Sequence, residues 1–262
     1  MMTVHCYTEE VMKKILKIVG AVLGVLVIGL FLLFVLSQKA PPPEIVANIT
    51  ELDKIEKISK YRSCAGHTTV PQNEREMKRS MKHYFSVKPE HLGANTVDIY
   101  SPYDGIITTI REDRVEGLEG EIWIAPKNIF VILPPIGRWS FSVQHINIRE
   151  GLQQGSEVRA GELIGYAAVE SGNRNTFDVV YAKGGAVPKR IDNWVGPFTD
   201  LDSIFNHMSD KVLAQYEGKG VVSKDDLIIS KEDRDQNPCE YKDAGPYFIN
   251  QEDPENWVVL QL

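Results

Sequence analysis

Four histidines, His67, His83, His91 and His145, are the residues of this chain best suited by type to metal or acid–base chemistry, with Glu74 or Asp178 as a possible carboxylate beside them. A hydrolytic zinc centre needs three fixed N or O ligands and an open fourth position for an activated water. These histidines are scattered over about eighty residues without metal-ligand spacing, so hydrogen-bonded structural or surface groups are the plainer reading. Convergence of His67, His83 and His145 on one point would displace it. His145 shares a strand face with Phe141 and Val143, which suits a core histidine; a groove-lining role stands beside that reading. No phosphate-cradling glycine loop and no Ser/His/Asp motif occurs.

The elements that must position these residues read as strands. Trp139, Phe141, Val143 and His145 alternate with Ser140, Ser142 and Gln144, the period of a half-buried strand. Ile146 and Ile148 then fall out of phase, which predicts a bulge near His145 or cover on both faces. In Gly155–Ala167 two short β segments sit between turns at Gly155 and Gly161. Thr96–Ser101 and Gly105–Arg111 flank a turn at Pro102, Asp104 and Gly105, and Glu121–Ala125 with Ile129–Leu133 reads as a hairpin. The charged run Arg111, Glu112, Asp113, Arg114, Glu116 and Glu119 reads as a solvated connection. A mainly β domain with an antiparallel sheet is expected.

Four segments, Ser101–Ile110, Phe141–Ile148, Gly155–Ala167 and Phe177–Tyr181, in this order and spacing, resemble the core of the lysostaphin-like (LytM-type) zinc endopeptidases. The resemblance spans roughly Lys82 to Ala182 and implies a duplicated-hybrid-motif fold that cuts peptidoglycan cross-links. The family holds zinc with a His, an Asp four residues on, and the second His of an H-x-H pair. Here His83, preceded by Arg79, falls at the first ligand; Val87 stands where the Asp belongs, and Arg174 and Thr176 stand at the H-x-H pair. His145 keeps the place of the assisting strand histidine and is the one candidate for a catalytic role. No zinc is expected, nor the family's hydrolysis. By the same resemblance His67, His83, His145, Arg174, Thr176 and Asp178 would line the old groove. Hairpins of biotinyl/lipoyl type share the Val158–Gly165 pattern, but no Lys sits at a hairpin tip here.

Length and charge set the frame. A chain of 262 residues, 43% hydrophobic and 25% charged, holds one sizeable domain and an accessory region. A net charge of -7 offers nucleic acid no general attraction, and none is expected as a partner. Ile15–Leu36 is almost uninterruptedly apolar and would span about 33 Å as a helix, against a bilayer core of about 30 Å. We read residues 1–14 as cytoplasmic, because Lys13, Lys14 and Lys17 stand at the front of the span and Lys39 follows it, and 15–36 as an uncleaved anchor. Residues 37–60 read as a stiff Pro41–Pro43 spacer and a helix, in which Thr50 and Asp53 cap and Leu52, Ile55 and Ile58 keep helical spacing. The β domain is expected over 61–185 and a helical extension and tail over 186–262. In that extension a helix from Asp200 to about Tyr216 is capped by Thr199 and Asp202, and a second short one begins at Ser223. Trp257–Leu260 reads as an edge strand or a segment packed back on the domain.

Cys6 lies ahead of the span and would face the other compartment, which leaves Cys239 as the mate of Cys64. Closing so long a loop contributes on the order of 5 kcal/mol in the chain-entropy account. The functions that fit are an extracytoplasmic, membrane-anchored domain that binds a wall polymer or envelope protein, a metal-dependent hydrolase built from His67, His83 and His145, and a biotinyl/lipoyl-like adaptor.

Overall fold

The computed structural model describes residues 2–111, 120–128, 136–170 and 174–261. The charged run from Glu112 to Glu119 and the strand expected over Ile129–Leu133 lie outside the described residues. The chain divides into two compact units, Met1–Ala40 and Pro41–Leu262. In the first, α1 (Met2–Gln38) contains the expected apolar run, and its stretch Glu10–Gln38 is long and apolar enough to cross a membrane. Side chains such as Leu16 and Val25 are more than 70% exposed on it, which suits lipid and not water.

In the second unit the sheet begins where spacing pointed to a helix. Ile55 and Ile58 are both fully buried, but they lie on β1 (Ile55–Ser59), antiparallel to β2 (His83–Val87). A register shift between Ile55 and Lys57 puts residues three apart on one face, so a β-bulge imitates helical spacing. The only helical turn there is a 3-10 turn at Leu52–Lys54. Nor is the proline run a free spacer to its end: Tyr181 donates from its hydroxyl to the Pro43 carbonyl at 2.6 Å, and Ile45 is fully buried.

Among the described residues the remaining strands are β3 (Asp98–Tyr100), β4 (Gly105–Arg111), β5 (Gly120–Pro126), β6 (Trp139–Ile148), β7 (Glu157–Val158), β8 (Leu163–Ala167), β9 (Thr176–Ile191), β10 (Trp194–Asp202) and β11 (Trp257–Val259). All pair antiparallel, in the order β11-β1-β2-β9-β6-β5-β4-β7, with β10 beside β9 and β8 joining β3 to β6. The segment 257–259 is thus the expected edge strand. Phe85, Phe141 and Phe177 fill the core between buried isoleucines and valines, with Phe85 and Phe177 stacked at 5.1 Å. The bulge near His145 is present. His145 has φ +64°, and it divides β6 into a part paired with β9 up to Gln144 and a part paired with β8 from Ile146. Gly155 and Gly161 take left-handed turns at φ +92° and +76°, conformations that suit glycine.

The helix expected from Asp200 is a strand until Asp202, because Leu201 and Asp202 continue the ladder opposite Ala182 and Tyr181. Helix α2 (Asp210–Glu217) starts only after Ser209. Leu201, Ile204, Phe205, Val212 and Tyr216 in this stretch are buried all the same. Ser223 caps a 3-10 turn with Asp226 as its box partner, and α3 (Lys231–Gln236) follows. Cys64 and Cys239, 175 residues apart, form the expected disulfide with Cα atoms 5.5 Å apart.

Candidate functional site

Lys82 immediately precedes β2, whose first residue is His83, and the two side chains leave the backbone on opposite faces. His83 turns into the core. It is 1% exposed, with Nδ1 2.8 Å from the Ser59 carbonyl and Nε2 2.8 Å from Ser203 Oγ, between the rings of Tyr61 and Phe205. Burial lowers its pKa to about 4, against the weaker opposing pull of the Ser59 carbonyl and Asp202. His83 is therefore a structural histidine, the role the sequence left open for His145.

Lys82 turns the other way, onto the floor of a groove. Its Nζ donates to Asp178 Oδ2 at 2.7 Å, to Gln144 Oε1 at 2.7 Å and, at 3.3 Å, to His67 Nε2. An ammonium has three donors, and all three are engaged. Burial is the largest influence and opposes the charge, but the Asp178 carboxylate, together with Tyr84 and Glu121, offsets it and raises the lysine above its ordinary value. Burial and then the Lys82 charge lower the His67 pKa to about 4. That ring is neutral: Nδ1–H donates to the Thr68 carbonyl at 2.8 Å, and Nε2 is left to accept from Lys82.

Asp178 joins the second histidine to this cluster. Its Oδ1 lies 3.1 Å from His145 Nε2, an electrostatic contact without hydrogen-bond geometry, and Arg174 meets Nδ1 of the same ring. His67, His145, Arg174 and Asp178 therefore come together around Lys82. His83 does not, and Thr176 stands in the ladder opposite Ser86. Glu74 pairs at the surface with Lys189, and His91 ends a 3-10 turn.

Above the floor the groove opens to a cavity of about 480 Å³. One wall is aromatic: Phe198 lies 5.6 Å from Trp123 and 5.7 Å from Trp194 between ring centroids. Glu121 closes the floor, its Oε1 accepting from Trp123 Nε1 at 2.5 Å and Gln144 Nε2 at 2.9 Å, while Oε2 accepts from Arg111 at 3.2 Å. Sequence reasoning missed Lys82, Gln144, Glu121 and the aromatic wall. A carboxylate in the otherwise apolar run Phe177–Tyr181 was the available signal, since a buried Asp demands a cationic partner.

These residues do not fit a zinc ion. Among the described residues no group of three or more His, Cys, Asp and Glu side chains is arranged to hold a metal, and His67, His83 and His145 share no common point. A protonated lysine stands among the nearest candidate ligands and repels a second cation.

No family model matches the chain, and no curated protein matches it. Solved structures do. Csd3 of Helicobacter pylori is 15% identical over 54% of this chain and 32% of its own, with a TM-score of 0.34. The SpoIIQ–SpoIIIAH pore-forming complex matches at 15% identity over 53% of this chain and 84% of the other, TM-score 0.37. The catalytic domain of lysostaphin from Staphylococcus simulans matches at 13% over 50% and 82%, TM-score 0.32. The chain spans about a third of Csd3. The chain is thus mostly antiparallel β-sheet with lysostaphin-like structures among its fold neighbours, the family that the four sequence segments resemble.

Proposed function

We propose that the protein is a membrane-anchored, extracytoplasmic binding module that uses this groove to hold a cell-envelope polymer or partner protein and does not cleave it by zinc hydrolysis. The carrying observation is the Lys82 ammonium, fixed by Asp178, Gln144 and His67: the groove has its own tethered cation. The lysines ahead of the apolar helix support a cytoplasmic N-terminus, with Pro41–Leu262 outside. Elemental analysis of the full chain in detergent, purified without chelator, tests the reading. Less than stoichiometric zinc in the native chain is the expected outcome. Stoichiometric zinc in the native chain, accompanied by cleavage of wall peptides, would overturn it.

A further inference from the structure

The groove's charges are spent on one another. Lys82 uses its three donors inside the protein, and Glu121 is held by Trp123, Gln144 and Arg111. A charged ligand would have to break these contacts at a buried floor, which favours an uncharged occupant. The aromatic wall is also fixed in place. The Trp194 indole lies across Gly196 so closely that a Cβ there would come within 1.8 Å of the ring, and Phe198 backs it. A ring held this way offers its electron-rich face at little entropic cost. The same cavity is lined by Thr108, Thr109 and Ser140, which bring hydroxyl groups to it.

An extended peptide would be expected to add along the edge of β10. That edge is occupied beside the groove: Gln72 donates its side-chain amide to the Gly196 carbonyl and its backbone N–H to the Phe198 carbonyl, both at 2.8 Å. What suits a rigid aromatic face, a floor whose charges are already paired and a lining that carries hydroxyls is a ring with an apolar C–H face and a polar edge.

Resting on the binding-module reading, we infer that the groove takes an uncharged pyranose saccharide, stacked on Trp194 and Trp123. The full chain in lipid nanodiscs is titrated with an N-acetylglucosamine oligosaccharide and, separately, with an uncharged extended peptide of similar length. Calorimetry and tryptophan emission report binding, and chromatography of the mixtures reports cleavage. Saturable saccharide binding that weakens roughly tenfold or more in Trp194→Ala is the expected result. Gly196→Ala, which displaces the indole without removing it, weakens binding likewise, and Trp194→Phe retains most of it. Thermal unfolding checks that each variant is folded. Binding of the peptide alone overturns the saccharide and leaves the binding module standing; so does saccharide binding indifferent to Trp194, as to the site. Binding of neither ligand overturns the inference, and cleavage of either overturns the binding-module reading as well.

Discussion

Lys82 and His83 are adjacent, both almost fully buried, and they solve burial in opposite ways. Burial alone disfavours the charged form of each. Lys82 meets the Asp178 carboxylate and stays an ammonium; His83 meets a hydroxyl and a carbonyl and stays neutral. The face of the sheet that carries a carboxylate became a polar groove, and the other face became core. Which side chain waits across the strand, more than depth, decides whether a buried ionisable group is charged.

The sharpest way to break this contrast is to remove the carboxylate. Asp178→Asn strands a buried ammonium and is expected to cost about 3–5 kcal/mol in urea unfolding of the full chain. The double variant Lys82→Met/Asp178→Leu should recover most of that loss, because an apolar pair needs no compensation. An equal loss in the double variant would mean that packing, and not charge, is what the pair provides.

Acid separates the neighbours next. His67 and His83 titrate near 4 folded and near 6.5 unfolded, so the unfolded chain binds more protons between those values. Their contribution is complete above about pH 6.5 and is lost on the way to about pH 4, at about 1.4 kcal/mol per unit for each ring. His83→Gln is expected to flatten that slope. Lys82 runs the other way. Its raised pKa keeps its contribution through neutral pH, to be lost only as alkali passes the folded value. The smallest effect belongs to an exposed pair: Lys189→Ala, which frees a Glu74 carboxylate 58% exposed, should leave stability nearly unchanged, the more so in high salt.

The sequence told faces better than elements. Alternation through Trp139–Val143 and the phase change after it placed β6 and its bulge, because a strand read by its own neighbours is a local object. Ile55 and Ile58 misled because a bulge, visible only with β2 in place, gave them helical spacing. The helix expected from Asp200 misled in the same way: Leu201 belongs to a ladder with Ala182 whose partner strand the spacing does not reveal. At the site, Asp178, Arg174, His67 and His145 were legible and Lys82 was not, since a lysine beside a histidine reads as surface until Asp178 appears across the strand.

The Cys64–Cys239 bond makes the folded unit a covalent ring with two tails. Every residue of the groove, from His67 to Phe198, lies on the ring, and the apolar N-terminal helix hangs from one tail. One proteolytic cut anywhere between the two cysteines therefore linearises the ring and detaches nothing. Severing the groove from its helix in one step requires a cut in the short stretch between Gln38 and Cys64, of which Ile55–Ser59 is already a strand of the sheet.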